Sequence, residues 1–177
     1  MIIGSLVSPA QLVGYVALVL GVSAFLQKSD TKLKVLIAVE SLAYVVHFIL
    51  LGNFTASGSA LISCLRNLTS LKSRSPWWVV VFVAINLVIG VLLAKHLVGW
   101  LPIIASCLAT GAVFLLHGIF MRLVLLVCTL LWLGNNILSG SVGGTVLEAL
   151  IALTNLSTIV RLASERFFKV RRDGPAT

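Results

Sequence analysis

Apolar residues dominate this chain in long runs, and the polar residues that interrupt them cluster at short intervals. Seven runs of roughly 17 residues or more emerge, at about 9–27, 35–51, 55–72, 77–94, 98–116, 121–139 and 143–161. Runs of that length with few charges predict helices that cross a bilayer, because a spanning segment must satisfy its own backbone hydrogen bonds. Alternation of period two is absent, which argues against a β-barrel. Turn signals separate the runs. Gly52-Asn53 divides the second from the third, Gly140 to Gly143 divides the sixth from the seventh, and Ser73 to Pro76 ends the third before the fourth begins.

Composition narrows the class. Of 177 residues, 59% are hydrophobic and 10% charged, with a mean hydropathy of +1.13, so the chain is too apolar for a soluble domain. The net charge of +8 does not point to nucleic acid, since the basic residues sit at helix ends rather than over one face. Lys28, Lys32 and Lys34 follow the first span, Lys72 and Arg74 the third, Arg122 opens the sixth, and Arg161, Arg166, Lys169, Arg171 and Arg172 fill the tail. Seven spans with the N-terminus periplasmic and the C-terminus cytoplasmic place all of these inside and leave Lys95 alone outside. Met1 to Ser8 carries no side-chain charge, so the basic start of a cleavable leader is missing and the first span is expected to be retained. Trp77, Trp78 and Trp100 fall at span ends, as an aromatic belt requires. The tail, with Phe167 and Phe168 among basic residues, can extend the last helix along an anionic surface, and Arg171 to Thr177 reads as disordered.

One stretch occurs twice. A gapless shift of 88 positions pairs His47 with Asn135, Gly52 with Gly140, Asn67 with Asn155, and Tyr44 with Trp132. Leucine coincidences are cheap in so apolar a chain; the glycine and asparagine pairs are not. Four spans separate the copies, so both have the same orientation in the membrane. The expected fold is an all-α membrane protein of seven transmembrane helices in a 3+1+3 parallel repeat. Its units are 1–75 (three helices), 76–96 (linker helix), 97–166 (three helices) and 167–177 (basic cytoplasmic tail).

The candidate site lies between the units. Asn67 and Asn155 each fall about 18 Å into their helices at 1.5 Å per residue, near the middle of a ~30 Å core. Two readings stand for them: interhelical glue, or a facing pair of amides that bind a polar solute. His47, Asn135 and Asn136 lie nearer the outer ends, where water can also account for them. Tyr44 and Trp132, one turn deeper, either pack or line a pocket. Glu40, Arg66 and Glu148 are ionisable residues within apolar spans, a costly placement that calls for a partner. Similar depth on adjacent helices suggests a Glu40–Arg66 ion pair, and a Glu148–His47 couple could carry a proton. Small residues head spans three and seven (Ala56 to Ala60 and Gly144 onward), which suits close helix approach or a hinge.

Cys64, Cys107 and Cys128 each lie within an apolar run and read as packing residues. His96 and His117 sit at helix ends. With five acidic residues, no nucleophile–base set and no metal-ligand spacing, neither an enzyme nor a cofactor is expected. Membrane lipids and a small polar solute are the expected partners, a homo-oligomer is left open, and nucleic acid is not expected.

The segments VHFILLG at Val46 to Gly52, LRNL at Leu65 to Leu68, and SGSVGGTVLE at Ser139 to Glu148 resemble the YgjV-like family of bacterial inner-membrane proteins. That resemblance covers most of the chain and implies the bacterial inner (plasma) membrane. The 3+1+3 plan is also similar to the SWEET/PQ-loop superfamily, which includes sugar and vitamin-precursor uniporters. In its SWEET branch an asparagine in the third helix of each unit lines the solute site, which implies that role for Asn67 and Asn155. The polar or aromatic position above it would fall near His47/Phe48 and Asn135/Asn136. The superfamily's Pro-Gln hinge is reduced here to Phe25-Leu26-Gln27, with no counterpart at Leu115. The function implied is facilitative transport of a small polar solute by alternating access; the alternative is a non-transporting scaffold or partner subunit that keeps the fold.

Overall fold

A computed structural model describes residues 7–25, 30–73, 75–116 and 118–173. Among the described residues seven α-helices follow one another: α1 (Pro9–Phe25), α2 (Asp30–Leu50), α3 (Phe54–Lys72), α4 (Trp77–Leu93), α5 (Trp100–Leu115), α6 (Gly118–Leu138) and α7 (Val142–Asp173). A single 3-10 turn, Leu97–Gly99, leads into α5. No strand occurs among the described residues. The segments Leu97–Leu115, Ile119–Leu138 and Val142–Arg161 are long and apolar enough to cross a membrane, and Pro9–Ala24, Val35–Leu50 and Trp77–Leu93 are shorter apolar helices.

The two glycine turns are built alike. Gly52 (φ 73°) and Gly140 (φ 68°) adopt the left-handed conformation, which a side chain would strain. At the first, the Gly52 amide donates to Ile49 O (3.0 Å) and the Asn53 amide to Phe48 O (2.9 Å). At the second, the Gly140 amide donates to Ile137 O (3.1 Å) and the Ser141 amide to Asn136 O (2.8 Å). This pair of bonds closes a helix C-terminus, and the next residue caps the following helix. Asn53 Oδ1 accepts from the Ala56 amide at 3.1 Å, and Ser141 Oγ accepts from the Gly144 amide at 3.2 Å. Each turn therefore ends one helix and starts the next within a few residues.

The helices group by sequence. α2 packs against α1 and α3, and α6 against α5 and α7. α4 lies against α3 and α5, and the groups also meet directly where α1 lies on α7 and α3 on α5. Asn86, fully buried in α4, accepts from Ser59 Oγ (3.1 Å) and donates to Ser106 Oγ (2.7 Å), tying α4 to α3 and α5. α3 is the least hydrophobic of the seven except α7, and its polar Thr55, Ser57, Ser59, Arg66, Asn67 and Ser70 are all buried. Protein rather than lipid surrounds them. Large apolar side chains such as Val80, Val88, Val91 and Leu92 of α4 face outward.

Helix boundaries fall close to the expected spans, with two differences. α2 starts at Asp30, and α7 continues to Asp173 over 32 residues, about 48 Å, too long for a ~30 Å core. The helix thus takes in Arg171 to Asp173, which the sequence reading assigned to a disordered end. Met1 to Leu6, the Leu26-Gln27 part of the reduced hinge, Lys28, Arg74, His117, residues 174–177 and the side chains of 165–173 lie outside the described residues.

Candidate functional site

At one end of the bundle the two groups of helices are clasped. His47 Nδ1 lies 2.6 Å from Ala10 O, and its Nε2 lies 2.7 Å from Ser141 Oγ. A carbonyl can only accept, so Nδ1–H is the donor to Ala10, and in the neutral ring the Ser141 hydroxyl donates to Nε2. Asn53 Nδ2 donates to Asn135 Oδ1 (2.9 Å) and to Ser139 Oγ (2.7 Å). The two bonds correspond: position 47 of the first copy reaches the cap of α7, and position 135 of the second reaches the cap of α3. Gln11 adds a third link, donating through Nε2 to Gly140 O (2.6 Å) and accepting through Oε1 from the Val142 amide (3.1 Å). His47, Asn135 and Ser141 are all buried. Backbone contact tightens the clasp, because Gly143 sits on the main chain of Gly14.

Beneath the clasp lies a cavity of about 680 Å³, within the size range of small-molecule sites. α2, α3, α5, α6 and α7 line it, and it reaches from Phe48, Trp132 and Asn136 beside the clasp to Leu116, Met121 and Arg122 at the opposite ends of α5 and α6. Its upper wall is aromatic: Tyr44 stacks on Phe48 (centroids 5.5 Å apart) and Phe48 on Trp132 (5.9 Å). Glu40 and Glu148 line the wall in the same region, and Arg66, Asn67 and Asn155 lie deeper. Asn155 Nδ2 donates to Arg122 O at 3.0 Å. The buried Asn67 Nδ2, Tyr44 Oη and Asn136 Oδ1 have no protein partner.

The sequence-derived candidates divide between these two features. Asn67, Asn155, Tyr44, Trp132 and Asn136 reach the cavity, as do Glu40, Arg66 and Glu148. His47 and Asn135 do not line it; they belong to the clasp. Neither expected couple forms. Arg66 does not pair with Glu40: Nη1 donates to Ser106 O (3.3 Å) and Thr110 Oγ1 (3.1 Å), and Nη2 to Ser63 Oγ (3.5 Å). Both ring nitrogens of His47 are engaged away from Glu148, whose carboxyl lies beside Thr129. Cys64, Cys107 and Cys128 are free thiols. Sequence reasoning overlooked Gln11, Asn53, Asn86 and Ser141. The signals were present: a lone amide in the apolar fourth span, and a capping residue directly after each turn glycine.

Residues 8–166 match the family Imp-YgjV, described as a bacterial inner membrane protein. The chain is 33% identical to Inner membrane protein YgjV of Escherichia coli (strain K12) over 165 residues, which cover 93% of this chain and 87% of that protein. No solved structure matches it. Apolar helices, outward-facing aliphatic side chains and buried polar links agree with that company, and the chain belongs to the YgjV family of bacterial inner-membrane proteins.

Proposed function

We propose that this protein is a facilitative transporter of a small polar solute, working by alternating access between two parallel three-helix units joined by α4. The observation that carries the reading is the cavity under the clasp. It is lined by both units, contains Asn67 and Asn155, is stopped at one end by the clasp, and continues toward the other. A scaffold with a closed interior would instead bond the two amides to each other, and they are not so bonded. The paired logic of the clasp supports a repeat related by an axis along the membrane normal. His47 to Ser141 and Asn135 to Asn53 are the same bond under the shift that aligns the copies.

Lys32, Lys72 and Arg122 belong to the end opposite the clasp, and the positive-inside rule makes that end cytoplasmic. On this reading the N-terminus is periplasmic, and a conformation closed at the clasp is the inward-facing one. In the alternate state the clasp opens and the cytoplasmic ends of the units close. Release of the clasp separates polar bonds worth roughly 0.6 to 2 kcal/mol each in a membrane protein, together with the Gly14–Gly143 backbone contact and the packing of Leu147 against Ala17, Tyr44 and Phe48.

A ligand-stabilisation screen of the purified full-length protein tests the reading, with sugars, nucleosides and vitamin precursors as probes. A solute that raises the melting temperature should lose its effect in Asn67→Ala and in Asn155→Ala. If both variants keep the shift, the amides do not bind the solute and the site assignment is wrong.

A further inference from the structure

We infer that the solute taken by this cavity is an organic cation, its charged head held by Glu40 and Glu148 and its body laid against the rings of Tyr44 and Trp132. This rests on the cavity being the solute path proposed above, and it names the chemistry of the occupant.

Both carboxyl groups are deep. Glu40 precedes the end of α2 at Leu50 by ten residues and Glu148 follows the start of α7 at Val142 by six, which places them about 15 and 9 Å below the clasp end at 1.5 Å per residue. They come from different helix groups and interact electrostatically with each other, and both act on Tyr44. The Glu40 carboxyl is pressed toward α1, where a Cβ built on Gly21 would lie 3.2 Å from Oε1. Their surroundings supply little counter-charge. Glu148 lies beside Thr129, and among the described residues no basic side chain acts electrostatically on either carboxyl. Arg66 shares the cavity but spends its Nη donors on Ser106, Thr110 and Ser63. Carboxyl groups in a recess shielded from water either take up protons or are ionised beside a positive charge, and a cationic head brought by the solute meets the second condition.

A second, independent observation points to the same occupant. Tyr44, with 9% of its surface exposed, holds a buried hydroxyl without a protein partner and lines this part of the cavity. Beside the carboxyls it adds an oxygen that can accept as well as donate. Trp132, the partly exposed ring at the end of the stack, adds a face on which an ammonium is attracted. A bare metal ion suits the wall poorly: no group of three or more metal-binding side chains occurs among the described residues, and aromatic faces do not replace the oxygen ligands of a hard cation.

The test uses full-length protein in detergent and four probes: choline, benzyltrimethylammonium, the uncharged choline isostere 3,3-dimethyl-1-butanol, and the anion benzenesulfonate. The two cations should raise the melting temperature saturably, and the neutral and anionic probes should not. Calorimetric affinity for benzyltrimethylammonium should fall at least about tenfold in Glu40→Gln and in Glu148→Gln, and remain unchanged in the surface variant Lys95→Gln. Should the carboxamide variants not fold, wild-type protein still decides the matter. The cation should protect Glu40 and Glu148 from modification by a hydrophobic carbodiimide, read by peptide mass spectrometry. Equal stabilisation by the neutral isostere, undiminished cation binding in both variants, or carbodiimide labelling indifferent to the cation overturns the inference. Cation binding without flux in proteoliposomes upholds this site and removes the transport reading. A neutral solute that binds through Asn67, with no cation effect, does the reverse.

Discussion

Gly143→Ala should loosen the clasp. An ideal Cβ at this position would lie 2.5 Å from Gly14 O, 2.7 Å from Gly14 C and 3.2 Å from Tyr15 N. All three are main-chain atoms, so no rotamer change can make room. Ordinary contact begins near 3.4 Å, which means α1 and α7 must part by roughly 1 Å, a rearrangement of the overpacking kind that costs about 1–3 kcal/mol. Alanine's better helix propensity returns at most about 1 kcal/mol. The parted helices also stretch the links between them: Gln11 to Gly140 O at 2.6 Å, Val142 to Gln11 at 3.1 Å, and, through His47, Ala10 to Ser141. Gly111→Ala is the control, because nothing lies within 4 Å of its added Cβ and only the propensity gain remains. Thermal melting should fall in Gly143→Ala and hold or rise in Gly111→Ala. Hydrogen exchange should quicken at the start of α1 and at the α6–α7 turn, while α4 stays unchanged. A Gly143→Ala protein as stable as wild type, with the same exchange at both segments, refutes the view that backbone contact holds this end shut.

Two other substitutions probe the polar links. Asn53→Ala removes the cap of α3, a loss of about 0.5–2 kcal/mol, and also strips Asn135 Oδ1 and Ser139 Oγ of their donor. Its melting temperature should therefore drop further than that of an exposed cap replacement, and the double variant Asn53→Ala/Asn135→Ala should be less destabilised than the sum of the singles; strict additivity would deny the bond. Asn86→Ala leaves the buried Ser59 and Ser106 hydroxyls without their shared partner at about 1–3 kcal/mol, and limited proteolysis should then cut the connections flanking α4 sooner. Unaltered cleavage there would mean that α4 is held by apolar contact alone.

Most of the helices were legible because membrane spans write themselves in composition. An apolar run bounded by Gly52-Asn53 or Ser73 to Pro76 can do little else, and α3, α4 and α6 begin and end within three residues of expectation. The site was legible in part. Aligning the copies identified positions 47 and 135 as equivalent, but equivalent positions touch only on the axis that relates them. Off the axis each meets a different residue of the other copy. Under the proposed twofold that is how His47 comes to bond Ser141 and Asn135 to bond Asn53, a cross-pairing the alignment contains once it is read as an exchange of partners. The Glu40–Arg66 pair failed for a different reason. Depth along a helix follows from counting residues, whereas azimuth depends on which neighbour the helix packs against, and Arg66 turns toward Ser106 and Thr110 of α5.

The inequality of the copies then acquires a physical sense. Where the halves must grip each other, they carry matched small polar groups: an imidazole against a hydroxyl on one side, an amide against an amide on the other. Bonds between neutral groups of this kind form and separate at modest cost, as a closure that has to open requires. Where the halves enclose space the matching stops. Glu148 faces the cavity at a position whose counterpart is Ala60, and Arg66 stands opposite Thr154 in the alignment. In the proposed transporter, charges without a symmetry mate select the orientation as well as the sign of what enters, because a solute turned through the twofold would exchange Glu148 for Ala60 and Glu40 for Cys128. On that proposal the matched residues of the clasp hold the closure, and the unmatched ones around the cavity add sign and orientation to what Asn67 and Asn155 bind.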